Sequence, residues 1–220
     1  MLFYLRVLFG FGIAALIVGG PLGYASYRQS QMRNFHIIRD GVLYRSGQMS
    51  LTGMQQMVHD YGFKTVVTLR DSADPKDPPP DQYEEYYCKA MGILYVRIPP
   101  RAWWPPDGSP PIEKSVKRFL QIMDDPKNYP VLVHCFAGIH RSGAFCAIYR
   151  MEYEHWSNAA ALAELRAAGY CHLEDEWDLL NYLEDYVPRA QRPAAAAKGE
   201  SRTPPDVWLA KRAKRKKTRD

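Results

Sequence analysis

Val131-Leu132-Val133-His134-Cys135-Phe136-Ala137-Gly138-Ile139-His140-Arg141-Ser142 is the stretch that decides how this 220-residue chain reads. The first four residues form a short apolar run bounded by Pro130, the pattern of a buried strand. A long helix is expected over about 142–154. A cysteine and an arginine therefore lie five residues apart on a loop between strand and helix. Successive N–H groups of such a loop can point inward, and the helix N-terminus adds positive potential, so the loop can cradle an oxyanion. The same field favours thiolate over thiol, which makes Cys135 a candidate nucleophile. Arg141 can grip two phosphate oxygens in a planar fork. Gly138 permits a tight turn, and Ser142 can donate to the thiolate and ease its departure from a phospho-cysteine. Backbone amides of Phe136, Ala137, Gly138, Ile139, His140 and Arg141 are the expected phosphate cradle, with His134 orienting the loop from behind.

Working outward, residues 42–45 read as a strand after the Asp40-Gly41 turn. Ser50 or Thr52 can cap a helix reaching about Asp60, with Met54, Met57 and Val58 on one face and Gly62 as its stop. Residues 64–70 and 93–98 are two further strands. Residues 71–81 hold four prolines and exclude regular structure; Asp74, Asp77 and Asp81 there read as solvated. Helices fit 82–91, 112–124, 157–168 and 174–187. Alternating strands and helices predict an α/β domain over 34–188, with a central, mostly parallel sheet and helices on both faces. Tyr149, Tyr153 and Trp156 share helical spacing and read as core.

The string His-Cys-x-x-Gly-x-x-Arg-Ser resembles the loop of the cysteine-dependent protein tyrosine phosphatase superfamily. Asn34-Phe35-His36, then Gly41-Val42-Leu43-Tyr44-Arg45-Ser46-Gly47-Gln48, then residues 66–70 extend the likeness to the atypical dual-specificity phosphatases of the plant and fungal type and their bacterial relatives. The resemblance covers about 34–188 and implies attack by Cys135 on phosphorus, with no metal and no cofactor. It implies phosphotyrosine proteins or inositol pyrophosphates as substrates. Plant and fungal members tend to carry basic residues beside the loop glycine; Ala137 and Ile139 stand there instead, which disfavours a highly phosphorylated inositol. Arg45-Ser46-Gly47-Gln48 is not placed by sequence alone.

Cleaving a phosphate ester also needs an acid for the leaving oxygen, supplied in the superfamily by an Asp on a separate loop. Asp107, in Trp104-Pro105-Pro106-Asp107-Gly108, is the candidate, with Trp103 and Trp104 as apolar cover. Asp71 is its rival; Asp107 also fits an ordinary Pro-Asp-Gly turn. The four cysteines, at 88, 135, 146 and 171, include no CxxC pair, which argues against a zinc site, and Cys146 reads as core.

The two ends differ from the body. Residues 7–27 carry no charge and are long enough to cross a bilayer, so 1–28 is expected to be an uncleaved membrane anchor. A cleaved signal peptide ending near Gly23-Tyr24-Ala25 is the alternative. Arginines 28, 33 and 39 favour a cytoplasmic domain, as does the reducing environment a thiolate needs. Residues 189–220 read as a disordered linker and tail. Its last ten residues hold seven bases and one acid, leaving the rest of the +5 chain at −1. That distribution argues against a nucleic-acid-binding fold and suits contact with anionic lipid. The expected protein is thus a single-pass, membrane-anchored phosphatase acting on phosphotyrosine or other phosphate monoesters. An inositol phosphate or phosphoinositide phosphatase, a sulfur-transfer or arsenate-reducing enzyme, and a non-catalytic phosphate-binding module are the alternatives.

Overall fold

The computed structural model describes residues 2–72, 74, 76–99, 101, 103 and 112–192. Five short strands form one sheet: β1 (His36–Arg39), β2 (Leu43–Ser46), β3 (Thr65–Thr68), β4 (Leu94–Arg97) and β5 (Val131–His134). Their spatial order is β1-β2-β5-β3-β4. β2, β5, β3 and β4 run parallel, and β1 joins β2 antiparallel, so the sheet is mixed. β5 sits at the centre, where all four of its residues are buried. A parallel strand covered on both faces has no polar side, which is why Val131-Leu132-Val133 carries no alternation.

Alternate residues of the central strands feed two cores. Leu43, Val67, Val131 and Val133 face one, filled by α4 (Ile112–Met123), α5 (Arg141–Tyr153), α6 (Asn158–Ala167) and α7 (Trp177–Glu184). Tyr44, Val66 and Leu132 face the other, where α2 (Leu51–Tyr61) contributes Met54 and Met57 and α3 (Gln82–Ala90) contributes Cys88. Ser50 caps α2 by accepting from the Gly53 N–H, and Gly62 ends it at φ 62° in the left-handed region. Tyr149 is buried and Tyr153 half-buried. Trp156 departs from the core expectation: it lies at the surface, with the Arg150 guanidinium 4.6 Å from its ring centre.

The N-terminus requires a correction. Residues 7–27 belong to α1 (Leu2–Gln31), but among the described residues no helix is long and apolar enough to cross a membrane. Five of those 21 positions are glycines with no side chain to bury, Pro21 interrupts the run, and the helix ends in Ser30-Gln31. The anchor and the single-pass membrane localisation drawn from this run are therefore not retained. The C-terminal end of α1 instead packs on the domain. The Gln31 carbonyl accepts from the Ser50 N–H, and it lies 2.0 Å from where a Cβ on Gly53 would stand. The basic tail lies outside the described residues.

Candidate active site

The loop leaving β5 turns on Gly138, whose φ is +79°. A Cβ there would stand 2.2 Å from the Gly47 nitrogen and 2.6 Å from the Ser46 carbonyl carbon. Conversely, a Cβ on Gly47 would meet the Ala137 and Phe136 carbonyl oxygens at 2.8 Å. Two glycines thus let the loop lie against the β2–α2 connection backbone to backbone, which explains Ser46-Gly47-Gln48. The loop's carbonyls are tied on that outer side. The Gln48 N–H donates to the Phe136 carbonyl at 3.0 Å, and Asn34 Nδ2 donates to the Ala137 carbonyl at 2.8 Å. With its carbonyls fixed outward, the loop is set to offer its N–H groups to an anion.

Cys135 lies at the base of this loop, 2 % exposed. Its Sγ accepts from the Gly138 N–H at 3.3 Å and lies 3.3 Å from Ser142 Oγ. Burial opposes ionisation, but the Ser142 hydroxyl and N–H, the Gly138 N–H and the charge of His134 outweigh it and hold the thiol below its ordinary range. The arrangement can therefore present a thiolate inside an anion cradle. Arg141, half-buried at the start of α5, donates to the Leu69 carbonyl at the end of β3. His140 stacks on the buried Tyr170 ring at 4.5 Å. Ala137 and Ile139 are half-buried, and Phe136 is exposed.

Above the loop is a cavity of about 510 Å³, lined by Arg70, Asp71, Arg101, Phe136 and Arg141 among others. Phe136 stands between two guanidinium groups, Arg33 at 4.4 Å and Arg70 at 5.2 Å from the ring centre. The positive charge missing inside the loop is thus brought to the cavity by Arg70 and Arg101 from the loops after β3 and β4, while Arg33 lies against Phe136. Sequence reasoning did not foresee this, because the three arginines share no local pattern. Asp71 is exposed at the rim, where its carboxylate accepts from the Ser72 N–H. Asp107 and Trp104 lie outside the described residues. Trp103 is buried against Phe145 and Tyr182.

Behind the loop, His134 is fully buried and its Nε2 lies 2.7 Å from Glu84 Oε1. Asp81, read from sequence as solvated, is also buried. It accepts from Thr68 Oγ1 at 2.5 Å and from the Tyr95 hydroxyl at 3.0 Å, and it pairs with Arg97 at 2.6 Å. Asp81, Glu84 and His134 lie close enough to suggest a metal centre. They do not fit one, because the Arg97 guanidinium already occupies Asp81 and the His134 ring already faces Glu84. Cys146 is buried in α5, and burial pushes its thiol up to about 12, which suits a core residue rather than a resolving thiol.

Comparison with known proteins agrees with this geometry. Residues 25–178 match the family described as "DSP-PTPase phosphatase fused to NAD+ Kinase". The chain is 27 % identical over 189 residues to the dual specificity protein phosphatase TpbA of Pseudomonas aeruginosa, covering 82 % of this chain and 79 % of that one. It is 29 % identical over 125 residues to the tyrosine-protein phosphatase-like protein OCA2 of Saccharomyces cerevisiae, covering 57 % of this chain and 59 % of OCA2. The core catalytic domain of the PP-IP phosphatase SIW14 from S. cerevisiae shares the fold, with a TM-score of 0.57 at 22 % identity over 81 % of this chain and 96 % of that one. The chain belongs to the DSP-PTPase phosphatase family, and it is a hydrolase of the tyrosine and dual-specificity phosphatase class.

Proposed function

We propose that the protein hydrolyses phosphate monoesters, phosphotyrosine or other phosphorylated protein side chains, through a phospho-cysteine on Cys135. The observation that carries this reading is the placement of Cys135 Sγ under the Gly138 N–H and Ser142 Oγ, at the base of a loop whose carbonyls are fixed outward. The thiolate attacks phosphorus in line as the leaving oxygen departs. The amides of residues 136–141 and the Arg141 guanidinium stabilise the charge on the three equatorial oxygens. Asp107 is proposed as the acid that protonates the leaving oxygen and then takes a proton from water; Asp71 at the rim is the rival. Water attacks the phospho-cysteine, and Ser142 stabilises the departing thiolate.

A second reading is favoured by Arg70 and Arg101, which line the cavity with Arg141. These side chains give the cavity positive charge beyond Arg141, which suits a substrate with more than one phosphate, of the kind that the name of SIW14 indicates for that protein.

The test is phosphate release by the full chain on an aryl phosphate, phosphotyrosine and phosphothreonine peptides, a phosphoinositide and an inositol pyrophosphate. Wild type is compared with Cys135→Ser and Arg70→Ala. Turnover abolished by Cys135→Ser is expected. Turnover that survives it overturns the reading, and so does an absence of turnover on the whole panel. A loss in Arg70→Ala confined to multiply phosphorylated substrates selects the second reading; an equal or negligible loss on all substrates selects the first.

A further inference from the structure

The buried cluster behind the loop has a charge balance that assigns a role to Glu84. Two carboxylates, Asp81 and Glu84, are at most 5 % exposed, and both face the ring of His134. The groups packed around that ring come from every neighbouring element. α3 and its N-cap bring Asp81 and Glu84, with the Cys88 thiol pushed by burial to about 12 and therefore neutral. β4 brings Tyr95 and Arg97, β5 brings Cys135, and the flanking β3 and β2 bring only the hydroxyls of Thr68 and Ser46. Arg97 pairs with Asp81 at 2.6 Å and is shared with Glu85 at 3.0 Å, and among the described residues no ion pair joins an arginine or lysine to Glu84. Asp81 is thus neutralised and Glu84 is not, unless His134 carries a proton. A neutral His134 would leave a lone buried negative charge close to Cys135, where it opposes a thiolate.

Glu84 itself is fixed on three sides. Gln48 Nε2 donates to its Oε2 at 2.8 Å, the Tyr95 hydroxyl, whose one proton is shared with Asp81, lies 3.2 Å from its Oε1, and His134 Nε2 approaches Oε1 at 2.7 Å. Gln48 is held in turn by Arg70 Nη1 at 2.9 Å, and its own N–H holds the Phe136 carbonyl of the loop. The carboxylate is therefore part of the scaffold that positions the loop.

We propose that Glu84 is a positioning residue that keeps the His134 ring oriented and positively charged behind Cys135, so that the nucleophile is a thiolate at neutral pH. This rests on Cys135 being the nucleophile. Burial works against a charged imidazole here, but the Glu84 and Asp81 carboxylates and the neighbouring thiolate outweigh it and raise the proton affinity of His134. The sign of the Glu84→Gln effect is diagnostic. Were Glu84 only a nearby negative charge, removing it would make the thiolate easier to form. If it acts through His134, removing it discharges the ring, and the thiolate becomes harder to form.

The experiment measures the pH midpoint of Cys135 alkylation by iodoacetamide in the full-length protein, wild type against Glu84→Gln, with the modified peptide identified by mass spectrometry. The midpoint in Glu84→Gln is expected to rise by about one unit, and the acid limb of kcat/KM to move with it. In a His134→Asn background only the direct charge of Glu84 remains, so there the same substitution is expected to lower the midpoint, and a rise of the same size as in wild type overturns the proposal. An unchanged or lowered midpoint in Glu84→Gln alone overturns the proposal. In case the variant fails to fold, ¹⁵N NMR of the His134 ring in wild type gives a separate reading. An imidazolium at pH 7 supports the proposal, and a neutral ring overturns it. Alkylation is read without turnover, so failure of this inference leaves the nucleophile assignment to the Cys135→Ser result.

Discussion

Replacing Gly138 by alanine separates backbone strain from close approach, because Gly41 supplies a matched control. Gly41 has φ +69° and Gly138 φ +79°, so an alanine at either site takes up left-handed backbone. That costs about 1–2 kcal/mol. At Gly41 nothing lies within 4 Å of the added Cβ, so the cost stops there. At Gly138 the Cβ meets the Gly47 nitrogen at 2.2 Å and the Ser46 carbonyl carbon at 2.6 Å, and backbone cannot swing aside as a side chain does. Overpacking adds about 1–3 kcal/mol. The totals are about 1–2 kcal/mol for Gly41→Ala and about 2–5 kcal/mol for Gly138→Ala. At about 3 °C per kcal/mol these correspond to Tm losses of about 3–6 °C and 6–15 °C. The functional consequence should diverge more sharply. Separating the two backbones moves the Gly138 N–H off Cys135 Sγ, and a displacement of about 1 Å at a reacting group can cost about 10²-fold in rate. Differential scanning calorimetry with kcat/KM on an aryl phosphate measures both quantities. Gly41→Ala should retain near-wild-type turnover while Gly138→Ala loses about two orders of magnitude. Equal activity losses in the two variants, or a Gly138→Ala enzyme within about threefold of wild type, would refute the argument from close approach.

Ser142→Ala removes a buried hydroxyl from Cys135 Sγ; hydrogen bonds to charged groups are worth about 1.5–3 kcal/mol, so the alkylation midpoint of Cys135 should rise by about 1–2 units. Because the thiolate is the form being stabilised, the acid limb of the pH–rate profile moves to higher pH, and an unmoved limb contradicts the role. Cys146→Ala should leave turnover within about twofold, since burial keeps that thiol protonated; a collapse of activity in a folded variant would point to a resolving role after all. Burial opposes the charge on Asp81, but Thr68, Arg97 and Tyr95 together hold its carboxyl below the usual range. Its contribution to stability is therefore present above the unfolded pKa of about 3.9 and lost as pH falls below that value toward the folded one. Asp81→Asn should cost about 2 kcal/mol at pH 7, by removing one of the two carboxylates that Arg97 pairs with, and should flatten the acid slope of stability; urea melts at pH 7 and pH 3 with an unchanged difference would count against this.

Much of the site was legible because its chemistry is local. The strand, the turn glycine, the nucleophile and the helix start all fall within residues 131–142, and β5 and the start of α5 lie within a residue of the boundaries the motif implies. β1 was not foreseen: four mostly exposed residues, His36–Arg39, carry no alternation and are ordered by pairing with β2 and by Ile38 packing on the core. Asp81 was misread because the prolines before it mark a surface loop, while its burial arises only when Arg97 of β4 and Thr68 of β3 close over it. Glu84 carries no signal of its own, and Asn34 and Gln48, though part of the family resemblance, have roles that sequence does not show, since each acts on the loop across at least 50 residues: Asn34 on Ala137, Gln48 on Phe136, and Glu84 on His134. The apolar run at 7–27 misled for the opposite reason. Freedom from charge was read as a span, although a quarter of the run is glycine or proline. The bases absent from positions 137 and 139 have counterparts that no local pattern announces, because Arg70 and Arg101 reach the cavity from elsewhere in the chain.

The central claim is a covalent phosphoryl group on Cys135. Acid-quenching the full-length protein during turnover of an aryl phosphate, and mapping the digest by mass spectrometry, tests it directly. The account predicts a phosphate adduct on the peptide that contains Cys135, appearing within one turnover and absent in Cys135→Ser. Sustained phosphate release with no adduct, continuing in Cys135→Ser, would contradict it.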